Sequence, residues 1–319
     1  MSLPRITVIS VSWRSAVFLH DLFESLLALA IQPELHRLLV ADNTAGNDPE
    51  LQALDFPQLT VLPVDARGAR MSMAHAVGLN ALLSTVDTPY VLIVDPDVAM
   101  LRRGWDVVLC QALDESNLVA IGAPYPGWKL GKYHDFPSPP FAFWRTDSLR
   151  ALDPDWRPYG RTTTRRLVDF ALRQMFWLPK GIDRYLLRLP RRQFRVAHWI
   201  ERLVGVVSKD TGWQIAEQAR HRSWRARLFD VVCTPDALPA IPIGQRAAYH
   251  TLAEEFELYA WNGQPFVTHR NPTRTQINFN LWTQSNVLIY QDQVDQAAQT
   301  ARWRDLVAAV RPSSESESP

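Results

Sequence analysis

Two aspartates separated by a single proline follow an unbroken apolar run, in the sequence Tyr90–Val94 and then Asp95-Pro96-Asp97. The apolar run is typical of a buried strand in a parallel sheet. Ligands of open α/β sheets bind at the carboxyl ends of such strands. Two carboxylates at that position can hold a hard divalent cation, and the cation can in turn hold a diphosphate. Pro96 favours a turn that would bring both carboxylates to one ion.

The elements that must position these aspartates alternate between strand and helix over the first hundred residues. β-branched and apolar runs predict strands, and apolar residues spaced three and four apart predict helices. This βαβ alternation predicts an α/β fold with a mostly parallel mixed sheet flanked by helices. The predicted strands are 6–11, 37–42, 59–64 and 90–94, and the predicted helices are 16–30 and 71–84.

Beyond residue 98 the pattern is looser. A loop rich in glycine, proline and aromatic residues covers 123–140. Asn262-Gly263 lies between two strand patterns and predicts the turn of a β-hairpin. The remaining predictions are helices at 105–113, 210–220 and 292–310, and strands at 118–122, 141–145, 256–261 and 265–270.

Composition restricts the class of protein. The chain has 319 residues, 47% hydrophobic and 21% charged, as in ordinary globular proteins, and its net charge of +1 gives no sign of a nucleic-acid partner. Cys110 and Cys233 are expected to be buried thiols of a reduced compartment. The chain shows neither a secretory leader pattern nor ~20 consecutive apolar residues, which predicts a cytoplasmic protein. No glycine-rich nucleotide fingerprint occurs, which disfavours nicotinamide enzymes and P-loop kinases.

Residues 161–202 differ in charge from the rest of the chain. Ten arginines and one lysine against three acidic residues give this segment +8, so the remainder carries about −7. Aromatic and aliphatic residues interleave with the arginines, which predicts two or three amphipathic helices broken at Pro179 and Pro190. Two interpretations are open: a helical insertion with a solvated arginine face, or a surface that docks on anionic lipid headgroups.

Four segments in order give the chain a family resemblance: 6–12, 40–43, 74–82 and 94–97. Together they resemble the inverting family 2 glycosyltransferases of the GT-A fold. The resemblance implies a nucleotide-sugar-binding half at 1–100 and an acceptor-binding half at 101–275 with a basic helical insertion at 161–205. A C-terminal helical segment at 276–311 and a disordered tail at 312–319 complete the expected organisation.

In that family an aspartate at the end of the second strand contacts the base of the donor, and Asp42 matches it. Asp42 could instead cap a turn with Asn43. The resemblance further implies that Asp95 and Asp97 hold Mn²⁺ or Mg²⁺, with Asp95 also near the ribose, and that His269 adds a third ligand. A structural histidine is the alternative at that position.

The resemblance also implies further site residues. Asp210 would be the general base; the alternative is an aspartate that caps the helix that follows, and one residue could do both. The expected donor contacts are Ser10, Arg67, His75 and Arg270, and the expected acceptor contacts are Trp128 and Trp213. His75 departs from the usual family pattern of arginine followed by asparagine.

The resulting expectation is a metal-dependent inverting glycosyltransferase. It would use a UDP- or dTDP-sugar and a hydroxyl of a glycan or lipid-linked acceptor, as in bacterial surface polysaccharide synthesis. It would be cytoplasmic, and it could lie peripherally on the membrane through 161–202. The alternatives are a sugar-1-phosphate nucleotidyltransferase, although Ser12-Trp13-Arg14-Ser15 is not the required glycine-rich loop, and a non-catalytic binding module of the same fold.

Overall fold

The structure is a computed structural model of the chain. It describes residues 5–69, 72–158 apart from 128 and 130, 193–206, 209–232, 241–272 and 288–311, together with residues 164, 167, 171 and 238. The chain forms two compact units that interleave along the sequence. The first comprises Met1–His20, Gln32–Pro96 and Asp106–Phe229, and the second comprises Asp21–Ile31, Asp97–Trp105 and Asp230–Pro319.

The described elements follow in chain order. The strands are β1 (Ile6–Ser12), β2 (His36–Asp42), β3 (Leu59–Pro63), β4 (Tyr90–Val94), β5 (Val98–Met100), β6 (Leu118–Gly122), β7 (Phe141–Arg145), β8 (Arg225–Leu228), β9 (Asp230–Val231), β10 (Phe256–Trp261) and β11 (Gln264–Pro272). The helices are α1 (Ala16–Leu29), α2 (Pro49–Gln52), α3 (Ser72–Leu83), α4 (Trp105–Asp114), α5 (Thr146–Ala151), α6 (Gln193–Val204), α7 (Trp213–His221), α8 (Arg246–Glu255) and α9 (Leu288–Val310).

The first unit contains a seven-stranded sheet in the order β3-β2-β1-β4-β7-β6-β8. Only β7 is antiparallel to its neighbours, and the other strands run parallel. Residues of β1, β2 and β4 on one face form a buried core with α3, α5 and α7. The predicted α/β class, with a mostly parallel sheet flanked by helices, is confirmed.

Gly78 sets how closely α3 approaches the sheet. A Cβ atom at this position would lie 2.8 Å from both methyl carbons of Val11 on β1 and 3.0 Å from Oδ1 of Asn43. Real Cβ atoms do not come that near to other heavy atoms, so only glycine allows this separation.

We therefore expect Gly78→Ala to lower the free energy of unfolding by about 1–3 kcal/mol, because overpacking outweighs the better helix propensity of alanine. Gly244→Ala is the matched control, since a Cβ atom at Gly244 would meet nothing within 4 Å. Urea denaturation of the two variants measures the difference. Equal unfolding midpoints would contradict the close packing of α3.

The second unit contains a four-stranded antiparallel sheet in the order β5-β11-β10-β9. Asn262 and Gly263 both have positive φ angles and join β10 to β11, so the predicted hairpin is confirmed. Helices α8 and α9 pack on this sheet around a core that includes Leu252, Phe256 and Trp303.

The short elements α2, α5, β5, β8 and β9 were not predicted, nor was α8. Cys110 is buried and free, as expected, whereas Cys233 lies outside the described residues. Among the described residues, no helix is both long enough and apolar enough to cross a membrane.

Candidate functional site

The second unit places an aspartate and a histidine side by side because β11 runs between β5 and β10. His269 on β11 pairs with Val98 on β5 and with Glu257 on β10. Asp97 immediately precedes β5, and its carbonyl accepts a hydrogen bond of 2.9 Å from the amide of Arg270. The sheet register therefore fixes the distance between residues that are far apart in sequence.

The imidazole of His269 lies between two carboxylates. Its Nε2 is 3.3 Å from Oδ1 of Asp97, and its Nδ1 is 3.0 Å from Oε2 of Glu257. Glu257 is almost fully buried and also accepts hydrogen bonds from the hydroxyl of Tyr259 (2.8 Å) and the side-chain amide of Asn271 (3.0 Å). This network fixes the orientation of the ring, so that Nε2 points at Asp97.

The charges of this group reinforce one another. Burial would lower the pKa of His269, but the carboxylates of Asp97 and Glu257 outweigh burial and raise it to about 10. Burial would likewise raise the pKa of Asp97, but His269 and Arg270, whose guanidinium is 3.3 Å away, lower it to about 2. At neutral pH the metal-free protein therefore holds an aspartate carboxylate against an imidazolium.

These residues fit a divalent cation. A histidine ligand of a metal generally donates its other ring N–H to a buried carboxylate, and Glu257 is placed to accept that hydrogen bond. Neighbouring ligand atoms of an octahedral ion with bonds of ~2.1 Å lie about 3 Å apart, which is close to the separation of Nε2 and Oδ1.

The first unit places Asp95 directly after β4. Its amide donates to the carbonyl of Pro140 at 3.2 Å, and its Oδ1 lies 3.5 Å from Nε2 of His75 on α3. Pro96 and Asp97 form a turn between β4 and β5, as their sequence predicts. The structure thus brings His75 to the acidic motif, although the sequence singled it out only by family placement.

Asp42 at the end of β2 is fully buried and holds its own loop. Oδ1 accepts hydrogen bonds from the amide (2.9 Å) and hydroxyl (2.6 Å) of Thr44, and Oδ2 accepts one from the amide of Gly46 (3.0 Å). This geometry is the turn-capping alternative that the sequence left open. A contact between Asp42 and a nucleobase stays a prediction.

Asp210 does not cap the helix that follows it. The predicted helix start at residue 210 is wrong, because α7 begins at Trp213 and its N-cap is Gly212, with φ +80° and no side-chain cap. The backbone of 210–212 turns before the helix instead, and the carbonyl of Asp210 accepts from the amide of Trp213 at 3.2 Å. The carboxylate is therefore not occupied in helix capping.

The carboxylate of Asp210 is instead held by donors within the first unit. Nζ of Lys132 is 2.5 Å from Oδ2, the amide of Thr211 donates to Oδ1 at 2.9 Å, and the hydroxyl of Ser72 at the start of α3 donates to Oδ1 as well. Burial would raise the pKa of Asp210, but Lys132 and then Ser72 and Thr211 hold it well below its usual range. The buried Tyr125 lies beside this group, and burial and the nearby charges of Asp210 and Asp95 raise its pKa well above normal.

Three further residues were predicted to contact the donor: Ser10, Arg67 and Arg270. Two of them contact neither the Asp97 group nor the Asp210 group in any interaction described above, whereas Arg270 contacts Asp97. Ser10 lies fully buried in the middle of β1. Arg67 is largely exposed and forms a two-pronged ion pair with Asp65, with distances of 2.9 and 2.6 Å. Arg270 contacts Asp97, and its Nη1 lies 3.5 Å from the hydroxyl of Thr300 on α9.

Of the two tryptophans predicted to contact the acceptor, the structure describes only Trp213. Trp213 is buried, its indole N–H donates to the carbonyl of Pro158 at 3.1 Å, and Nζ of Lys209 lies 3.8 Å from its ring centre. Trp128 lies outside the described residues. Their contact with an acceptor stays a prediction.

The sequence analysis missed four residues that complete these groups. Glu257 carried a signal, because a glutamate between apolar neighbours in a strand must find a partner when it is buried. Lys132 and Tyr125 lie in the loop 123–140 and Ser72 at a helix start, and no periodicity marks such positions.

Comparisons with known proteins found no matching family model and no matching curated protein. Among solved structures, a mannosyltransferase of Pyrobaculum calidifontis in complex with GDP-Man and Mn²⁺ matches with 14% identity and a TM-score of 0.41. That match covers 79% of this chain and 63% of the other. Residues 1–349 of TarS from S. aureus match with 18% identity and a TM-score of 0.38, covering 51% of this chain and 53% of that one. The chain thus spans less than two thirds of either structure.

Proposed function

We propose that this protein is a metal-dependent inverting glycosyltransferase of the GT-A fold. It would transfer the sugar of a UDP- or dTDP-sugar to a hydroxyl of a glycan or lipid-linked acceptor, in bacterial surface polysaccharide synthesis. The observation that carries the proposal is the group of Asp97, His269 and Glu257. A carboxylate and a carboxylate-oriented imidazole lie side by side, two residues along the chain from a second aspartate.

In the proposed site Asp95, Asp97 and His269 hold Mn²⁺ or Mg²⁺. When bound, the ion would neutralise charge on the diphosphate as the glycosidic bond breaks. Arg270, next to Asp97, would contact a phosphate oxygen. His75, next to Asp95, would contact the donor sugar or phosphate.

A protein side chain would accept the proton that the acceptor hydroxyl loses. The acceptor oxygen attacks the anomeric carbon from the face opposite the diphosphate, and its proton passes to the carboxylate of Asp210. A bond from the anomeric carbon to the acceptor oxygen forms, the bond to the phosphate oxygen breaks, and the nucleoside diphosphate leaves. One carboxylate suffices, because the reaction inverts the anomeric carbon in a single displacement.

Isothermal titration with UDP, dTDP and GDP, each with and without Mn²⁺, tests the donor site, and a UDP-sugar hydrolysis assay tests turnover. We expect binding of UDP or dTDP that depends on metal, together with slow hydrolysis. Binding without turnover would favour the non-catalytic module. Release of pyrophosphate from a nucleoside triphosphate and a sugar 1-phosphate would favour the nucleotidyltransferase.

The charge state of His269 predicts a pH dependence of metal binding. Because the pKa of His269 is raised to about 10, an ion must displace a proton from this ring at any pH below that value. Asp97, with a pKa lowered to about 2, is already ionised and releases none. We therefore expect the apparent affinity for Mn²⁺ to rise about tenfold per pH unit between pH 6.5 and 8.5, with release of about one proton.

Titrations in buffers of different ionisation enthalpy measure the proton release directly. His269→Gln supplies the matched control, since it should bind the ion more weakly and with little dependence on pH. A wild-type affinity that stays constant across this range would argue against His269 as a ligand.

A membrane surface is the second part of the proposal, and helix α6 supports it. Trp199 and Leu203 are 62% and 66% exposed, and Arg195 and Arg202 are exposed on the same face, at positions i, i+4, i+7 and i+8. The opposite face buries Ala197 and other small or aliphatic residues. An exposed tryptophan and leucine between arginines complement an anionic lipid surface. Most of the basic segment 161–202 lies outside the described residues.

Liposome sedimentation tests this surface. We expect the protein to pellet with vesicles that contain anionic lipid and not with neutral vesicles, because each arginine near an anionic surface contributes about 1 kcal/mol. Trp199→Ala should reduce the pelleted fraction several-fold. Ile243→Ala is the matched control, since Ile243 is also an exposed apolar side chain but lies outside α6. Equal pelleting with both kinds of vesicle would remove the lipid interpretation.

A further inference from the structure

Lys132 forms an ion pair with the carboxylate proposed as the base. Its Nζ lies 2.5 Å from Oδ2 of Asp210, and both side chains are mostly buried, with 16% and 27% exposure. A charge-assisted contact of this kind between partly buried groups is stronger than a surface ion pair. The pair is therefore a defined feature of the folded first unit.

This ion pair conflicts with the proposed role of Asp210. Oδ1 already accepts from Ser72 and Thr211, and Oδ2 faces the ammonium of Lys132. A carboxylate held by these donors has little tendency to take a proton from an acceptor hydroxyl, since an efficient general base has a pKa near the pH at which the enzyme works. Asp210 becomes a useful base only if one of its donors is withdrawn.

Of these donors, Lys132 is the one that can move. The amide of Thr211 is fixed by the backbone before α7, and Ser72 is fixed at the start of α3, where its carbonyl also accepts from the hydroxyl of Thr211 at 3.2 Å. Lys132 has a flexible four-carbon stem and belongs to the loop 123–140.

The ammonium of Lys132 also lies near the proposed donor site. Its Nζ is 5.1 Å from the ring centre of Tyr125. Ser72, which contacts Asp210, and His75, which contacts Asp95, lie one turn apart on α3, so both carboxylates lie at the start of that helix. A diphosphate bound at Asp95 would compete with Asp210 for the same ammonium.

We propose that Lys132 is a positioning residue shared between Asp210 and the diphosphate of the donor. In the donor-free protein it holds Asp210, and when the donor binds it moves to the phosphate oxygens and leaves Oδ2 free to accept the acceptor proton. This inference rests on the proposed function. It makes the base competent only after the donor is bound, so the donor must bind before the acceptor reacts.

A double-mutant cycle on donor-product binding tests this transfer of Lys132. The dissociation constants of Mg²⁺-UDP and of Mg²⁺-pyrophosphate are measured for the wild type, Lys132→Met, Asp210→Asn and the double variant. We expect Lys132→Met to weaken binding about tenfold, since one charge-assisted contact is lost. Asp210→Asn should tighten it at least about threefold, because Lys132 no longer has a competing carboxylate.

The double variant provides the decisive comparison. If Lys132 is shared, Asp210→Asn should change the affinity less than about 1.5-fold in the Lys132→Met background. If Asp210→Asn tightens binding equally in both backgrounds, the effect is simple removal of negative charge and the proposal is overturned. It is also overturned if Asp210→Asn leaves the affinity of the otherwise wild-type protein unchanged.

Two controls separate this proposal from folding effects and from the proposed function. Lys129→Met is the matched control, because Lys129 also lies over the ring of Tyr125, at 5.8 Å, and should leave the affinity unchanged. Thermal melting of each variant confirms folding. If the wild type binds neither Mg²⁺-UDP nor Mg²⁺-pyrophosphate, the proposed function fails and this proposal with it. If the wild type binds them and the cycle shows no coupling, only the sharing of Lys132 fails.

Discussion

Replacing Asp97 by alanine is expected to abolish the metal-dependent part of UDP binding, with a loss of affinity of at least about 100-fold. Even partners that only orient a metal ligand are worth 10–100-fold in metal affinity, and Asp97 is proposed as a direct ligand. The variant also leaves the imidazolium of His269 and the guanidinium of Arg270 without the carboxylate that lies 3.3 Å from each in the wild type. These two positive charges would repel a cation.

Titration of Mn²⁺ into the protein with UDP present measures the effect. Asp305→Asn is the matched control, since Asp305 is an exposed aspartate on α9 and should leave the affinity unchanged. Because loss of a partly buried, ion-paired carboxylate could unfold the second unit, circular dichroism and thermal melting accompany the titration. A folded Asp97→Ala protein that binds Mn²⁺ and UDP as the wild type does would rule out the ion site.

Most of the sheet of the first unit was predictable because each of its long strands and helices has a sequence pattern typical of its secondary structure. The runs that form β1, β2 and β4 are continuous and apolar, as parallel strands buried on both faces must be. Helix α3 has few charged residues to mark a solvent-facing side. Its ends were nevertheless predicted to within one residue. These patterns are local, so one segment of sequence is enough to show them.

The partners of the candidate site were not predictable, because they depend on register and on loops. Glu257 meets His269 only through the antiparallel pairing of β10 with β11, and no spacing along the chain reports that pairing. Lys132 reaches Asp210 across 78 residues from an irregular loop. A family resemblance transfers a ligand such as His269, but it does not transfer the buried carboxylate that orients it.

Asp42 and Asp210 were difficult to interpret for another reason: an aspartate at such positions can either cap a turn or helix or take part in a functional site. For both, the sequence left a capping role open beside a functional one. In the structure Asp42 does hold its own loop, whereas Asp210 leaves the cap of α7 to Gly212. The difference lies in the backbone: Gly212, with φ +80°, occupies the N-cap position of α7, two residues after Asp210.

Asp210→Asn is expected to reduce sugar transfer by about 10²–10⁴-fold, the usual contribution of a general base, while donor binding is strengthened. The amide has nearly the shape of the carboxylate and can still accept from Ser72 and Thr211, but it cannot take a proton from the acceptor. Hydrolysis of the UDP-sugar, with water as acceptor, should fall in parallel, because water must be deprotonated in the same way.

Proton NMR of the freshly released sugar, followed over the first minutes, measures the rate and the anomeric configuration together. An inverted anomer from the wild type and almost no product from Asp210→Asn would fit a single displacement with one base. Asp135→Asn is the matched control, because Asp135 is a half-exposed aspartate of the same unit that pairs with Arg220. An Asp210→Asn enzyme that keeps more than a tenth of the wild-type rate would exclude Asp210 as the base, and the search would then turn to the other carboxylates of the first unit.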